Sequence, residues 1–149
     1  MKDLVNSGVN IIAYQKNGYK YGMTCAWMMQ CDEDQLLMVL GSQSDTAKRL
    51  RVGDIIGISA LSIGQEEIAR KFGTTHSRKT NKFLGISYDE EDGALLINKA
   101  SKIMKCEVLN IGQLYDNDED LLVQVKVLSR LSNHNKFLSM VDYRKFFKD

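Results

Sequence analysis

Tyr21-Gly22-Met23-Thr24-Cys25-Ala26-Trp27, the apolar run Leu36-Leu37-Met38-Val39-Leu40 and the hydroxyl-rich Gly41-Ser42-Gln43-Ser44-Asp45-Thr46 decide how this chain is read. The first reads as a strand that ends in small residues. The second is apolar on both faces, as an interior strand of a sheet must be. The third turns abruptly to small polar residues, with Ser44 or Asp45 placed to cap a helix over residues 46–52 that Gly53 stops. Two strands finishing beside such a loop would gather backbone N–H groups and hydroxyls around one pocket, which suits a ligand carrying a phosphate.

Outward from this core, residues 9–14 read as a strand, Asn17-Gly18 as a two-residue hairpin turn, and residues 19–27 as the partner strand. Cys31-Asp32-Glu33-Asp34 is a polar turn before the strand at 35–40, and residues 55–60 return to strand. Ser62-Ile63-Gly64-Gln65 has capping-box spacing ahead of a helix at 66–72, in which Ile68, Ala69 and Phe72 share a face and which Gly73 ends. Residues 74–80 are polar and basic and read as a surface loop, followed by a short turn at Asn81-Lys82-Phe83. Met104, Cys106 and Val108, then Val123, Val125 and Val127, alternate with polar residues and mark two half-buried strands. The acidic tip between them, Asp116-Asn117-Asp118-Glu119-Asp120, fails as a calcium loop because Leu121 stands where glycine is required and Val127 where the bidentate Glu belongs. The tail from 133 to 149 shows no clear period, so strand and helix stay open there. Many short strands with a few helices predict a mostly β, antiparallel barrel.

The 149 residues fit one domain, and 20 Lys plus Arg against 19 Asp plus Glu leave no global field to attract nucleic acid or anionic lipid. The amino-terminal residues lack the apolar core of a signal peptide, and no apolar run is long enough to span a membrane, so the expected location is cytoplasmic. The three cysteines, Cys25, Cys31 and Cys106, match no zinc or redox spacing, and neither a metal nor a disulfide is expected. Proline is absent, so the turns rest on Gly, Asn, Asp and Ser. Neither His76 nor His134 sits in a triad or metal context, and there is no nucleophile elbow, so no catalytic side chain is expected.

Two motifs give the chain a resemblance to the flavin reductase-like family of FMN-binding split barrels, which includes flavoredoxins. Gly22-Met23-Thr24-Cys25-Ala26-Trp27 is similar to that family's "NGMTASW" segment, and Leu40-Gly41-Ser42-Gln43-Ser44-Asp45-Thr46-Ala47-Lys48-Arg49-Leu50 is similar to its loop of small residues leading into a helix. Gln65-Glu66-Glu67-Ile68-Ala69-Arg70-Lys71-Phe72 and Lys82-Phe83-Leu84-Gly85-Ile86 are weaker echoes. The chain departs from the family at Asp32-Glu33-Asp34-Gln35, where prolines are usual, and at Cys25, which replaces a small or hydroxylated residue.

The resemblance implies a single split-barrel domain, FMN as cofactor, NADH or NADPH as electron donor, a homodimer with the flavin near the subunit boundary, and an electron acceptor that the sequence does not name. It implies phosphate contacts from Gly41, Ser42, Gln43, Ser44 and Thr46 with Lys48, Arg78 or Lys79 as countercharge, and ring contacts from Met23, Thr24, Cys25, Ala26 and Trp27. Donor groups at the end of a strand can stabilise charge that reduction places on a flavin, and Trp27 can stack on or wall the ring. Read without the family, Ser44 and Asp45 are a helix cap, and Trp27, Met28 and Met29 are core. Arg70, Lys71, His76, Arg78, Lys79 and Lys82 are then a solvated basic face. Flavin reductase and flavin-binding electron carrier or sensor both fit the sequence, whereas a barrel for single-stranded nucleic acid conflicts with the neutral charge.

Overall fold

The computed structural model describes residues 3–41, 43–74 and 81–147. β1 (Asn10–Lys16) and β2 (Tyr19–Cys25) form a hairpin through Asn17-Gly18, whose φ values of 53° and 81° belong to the tight turn that Asn-Gly favours. β3 (Met28–Asp32) and β4 (Gln35–Gly41) form a second hairpin, and a long third one joins β8 (Lys102–Leu114) to β9 (Asn117–Ser132). β5 (Ile55–Ala60) lies between β8 and β1, and the short pair β6 (Tyr88–Glu91) and β7 (Ala94–Ile97) continues beyond. Every pairing is antiparallel, in the order β3-β4-β9-β8-β5-β1-β7-β6, with β2 on the other edge of β1.

Six of these strands, β1, β2, β4, β5, β8 and β9, surround one apolar core built from Ile12, Met38, Leu40, Ile58, Val108, Val125 and their neighbours. Among the described residues β2 pairs with β1 alone, so the barrel stays open between β2 and β4. The short helix α1 (Asp45–Lys48) plugs this opening, sending Ala47 into the barrel core, with Leu50 following just beyond it. At one end the Val39 N–H donates to the Trp27 carbonyl at 2.9 Å, carrying the β3–β4 ladder one step toward the corner where β2 ends.

A second core lies outside the barrel wall. Residues 9–13 are buried on both faces: Ile12 points into the barrel, while Val9, Ile11 and Ala13 meet Ala69 and Phe72 of α2 (Glu66–Thr74). Each fully buried Ile or Phe contributes roughly 1.5–3 kcal/mol of transfer free energy, which makes this two-sided strand the pivot of the molecule.

Most expected elements are present, with informative differences. The helix expected at 46–52 stops at Lys48, because the Arg51 N–H turns to Asp54 Oδ2 at 2.8 Å and Arg51 Nη1 takes the Lys48 and Leu50 carbonyls. Gly73 does not end α2, which runs on to Thr74. The Ser62 box forms by half: the Gln65 side chain accepts from the Ser62 N–H at 3.0 Å, while Ser62 Oγ donates to the Lys99 carbonyl. The strand expected over 19–27 breaks after Cys25, and β3 and the β6–β7 hairpin are additional. In the tail, Ser139 caps α3 (Met140–Phe146). The loop expected over 74–80 lies, beyond Thr74, outside the described residues. No described helix is long and apolar enough to cross a membrane.

Candidate functional site

β4 ends at Gly41, and the chain turns at once into α1. Ser44 is the helix N-cap: its N–H donates to the Gly41 carbonyl at 3.2 Å and its Oγ accepts from the Ala47 N–H at 3.0 Å. The same hydroxyl lies 3.3 Å from Met23 Sδ, so the two segments singled out in the sequence meet at this point. Gln43 and Lys48 are exposed around the turn, as is Gly41, whereas Thr46 is buried.

Thr46 carries the unusual feature. Its carbonyl accepts from the Tyr14 hydroxyl at 2.5 Å, but its own Oγ1 is buried and meets no donor or acceptor among the described residues. A buried hydroxyl without a partner costs on the order of 1–3 kcal/mol, so it calls for an explanation. Burial, with Asp54 adding to it, pushes the Tyr14 phenol far above its ordinary range and keeps it a donor.

The strand side is organised by alternation. Met23 and Cys25 face the barrel, with Met23 against Ser44, while Gly22 and Thr24 face α2. Thr24 Oγ1 donates to the Ala69 carbonyl at 2.6 Å, so its hydroxyl is spent on the helix and does not share a cavity with Ser44. What Thr24 can offer a ligand is backbone. A Cβ at Gly22 would lie 2.5 Å from the Phe72 ring, so glycine there lets α2 pack directly on the strand. Cys25 Sγ sits 3.7 Å from the Trp27 and Val39 carbonyls. Burial pushes this thiol up to about 12, which makes it a packed, protonated group rather than a redox-active thiolate. Ala26 is half-buried, and Trp27, 56% exposed, stands at the surface rather than in the core.

Lys82 is the main correction to the basic face expected from the sequence. It is 3% exposed, with Nζ donating to the Gly22 carbonyl at 2.8 Å and the Phe72 carbonyl at 3.0 Å. Burial lowers its pKa to about 8, against a smaller raising effect of Asp45. The signal available in the sequence was its neighbour Phe83, an aromatic placed to enter the core. Ser42, His76, Arg78 and Lys79 lie outside the described residues.

Two open clefts lie away from this junction. One, about 810 Å³, runs between α2 and α3 beside Arg70, Tyr143 and Phe147. The other, about 580 Å³, is bordered by Met28, Met29, Leu36 and Phe137.

The model of the family described as "Flavin reductase like domain" matches residues 1–148. No curated relative matches the chain in sequence. Among solved structures, the NADH:FAD oxidoreductase SgcE6 of Streptomyces globisporus superposes with a TM-score of 0.80 at 20% identity, over 91% of this chain and 81% of that one. Flavoredoxin from Methanosarcina acetivorans does so with a TM-score of 0.75 at 11% identity, over 90% and 74%. A homologue of nitrilotriacetate monooxygenase component B from Mycobacterium thermoresistibile gives 0.73 at 21% identity, over 87% and 71%. These likenesses concern the fold, an antiparallel barrel left open on one side, and with the family match over nearly every residue they place the chain in the flavin reductase-like domain family.

Proposed function

We propose that this protein binds FMN at the junction of β2 and α1 and passes electrons from NADH or NADPH through it to an acceptor. The observation that carries the reading is Thr46 Oγ1, a buried hydroxyl without a partner among the described residues, at the first turn after β4 in a chain of this family. A phosphate oxygen reaching that hydroxyl would satisfy it, with Gly41, Gln43, Ser44 and Lys48 offering further amides, a hydroxyl and one cation at the same turn, and Ser42 remains a candidate from the sequence. Arg78 and Lys79 are the remaining candidates for countercharge. On the strand side the backbone from Met23 to Trp27 would meet the polar edge of the ring, with Trp27 as an apolar wall. A related oxidoreductase has been solved with NAD and FAD fragments, in keeping with a site for flavin and nicotinamide together.

The bound flavin would supply the hydride chemistry. This chain's share is binding, orientation and a fixed electrostatic surround. The Tyr14 hydroxyl holds the Thr46 backbone in place, the Ser44 cap fixes the turn, and the Thr24–Ala69 bond seats the strand on α2. A homodimer belongs to the same proposal: Trp27 and Met29 are 56% and 60% exposed beside the open side of the barrel, and a second subunit would cover them.

Titration of the purified protein with FMN, followed by anaerobic mixing with NADH and with NADPH, tests the reading. Saturable binding and bleaching of the flavin's visible band are expected. Absence of flavin binding refutes the reading; binding without reduction by either nucleotide reduces the function to that of a flavin carrier or sensor.

A further inference from the structure

An ammonium group withdrawn from water is costly unless its surroundings use it, and Lys82 sits where an apolar side chain of similar length would pack. Its two bonds join two different elements. Phe72 lies in the last turn of α2, where carbonyls have no helical donor and a cation is favoured. Gly22 lies on β2, at the head of the segment that the proposed function places against the flavin ring. The ammonium also lies 5.8 Å from the centre of the Phe72 ring, the ring that packs against Gly22. Asp45, the first residue of α1, favours its charge. One cation therefore stands among the strand, the long helix and the phosphate turn.

We propose that Lys82 is a positioning residue of the flavin site, its buried ammonium fixing the backbone of residues 22–24 against α2 and beside α1. This rests on the flavin reading above. The Lys82 ammonium is engaged by the Gly22 and Phe72 carbonyls, so it acts through the strand and helix rather than by touching the ligand. The pKa lowered to about 8 leaves it mostly charged at neutral pH, as this role requires.

The test titrates FMN into the wild-type protein, Lys82→Met and Lys82→Arg, with thermal unfolding of each and the visible spectrum of the bound flavin recorded in parallel. Lys82→Met keeps the stem and loses the charge; it is expected to weaken FMN binding roughly tenfold or more and to shift the spectrum of the flavin that still binds. Lys82→Arg keeps the charge and is expected to bind within about threefold of wild type. Unchanged affinity and spectrum in Lys82→Met overturn the proposal and leave the flavin reading intact. So does an affinity lost only in proportion to unfolded protein, with an unaltered spectrum. Should Lys82→Met not fold, Lys82→Arg decides: folded protein near wild-type affinity supports the role, and folded protein with affinity lost overturns it. A wild-type chain that binds neither FMN nor FAD removes both proposals.

Discussion

Thr46 and Lys82 show how single polar groups can be badly placed for stability and well placed for a ligand. Replacing Thr46 by Val removes the unpaired hydroxyl at nearly constant volume, so the ligand-free protein is expected to gain about 1–3 kcal/mol, read as a raised urea midpoint. The same change is expected to weaken FMN binding by roughly 1.5–3 kcal/mol, because a bond to a charged oxygen is lost. Stability and affinity moving in opposite directions is the signature of a group kept for binding; unchanged affinity would remove Thr46 from the site. For Lys82 the sign follows from its folded-state pKa of about 8 against the ordinary 10.5. Between those values the unfolded chain holds a proton that the folded chain has shed, so the contribution of Lys82 to stability rises with pH across that window and is flat below it. The difference in urea midpoint between wild type and Lys82→Met, followed from neutral pH to about 10.5, should shift in favour of wild type as pH increases. A pH-independent difference would show that Lys82 titrates normally.

At the scale of elements, legibility followed the strength of local chemistry. The β1–β2 hairpin announced itself through Asn17-Gly18, and β8 and β9 through Met104-Cys106-Val108 and Val123-Val125-Val127, whose alternation the structure buries on one face. α2 was readable from Ile68, Ala69 and Phe72. β3 was not, because Met28-Met29-Gln30-Cys31 is an edge strand without an alternating pattern of burial. β7 was missed because Ala94-Leu95-Leu96-Ile97 carries no period, although Asp92-Gly93 offered the same kind of turn signal as Asn17-Gly18. In the site, the motif order revealed which segments meet. The facing of Thr24 toward α2 and the burial of Lys82 depend on contacts with residues 45 and 10 positions away, which local pattern does not encode. The missed turn is testable: Gly93 has φ 94°, so Gly93→Ala is expected to cost about 1–2 kcal/mol in denaturant unfolding. A loss near zero would mean that the β6–β7 hairpin contributes little to the fold.

On the scale of the whole molecule, an open barrel has a consequence that a closed one lacks. The unpaired side between β2 and β4 is plugged by a helix of only four residues, and apolar side chains remain at the surface nearby. Trp27 and Met29 follow directly from β2, and Phe137, 58% exposed, borders the same cleft as Met29. If a second subunit covers this face, then Met29→Glu should cost little in the monomer fold, since that side chain is largely exposed, but should oppose association by burying an unpaired charge. Sedimentation is expected to show a dimer for wild type and a monomer, or a concentration-dependent mixture, for Met29→Glu, with unfolding of the monomeric form cooperative. FMN affinity should fall along with the dimer, because a flavin at the subunit boundary loses one wall of its site. A wild-type monomer that still binds FMN tightly would separate the two halves of the proposal: the cradle at β2 and α1 would then be sufficient within one chain, and the exposed aromatic and methionine side chains would need another partner.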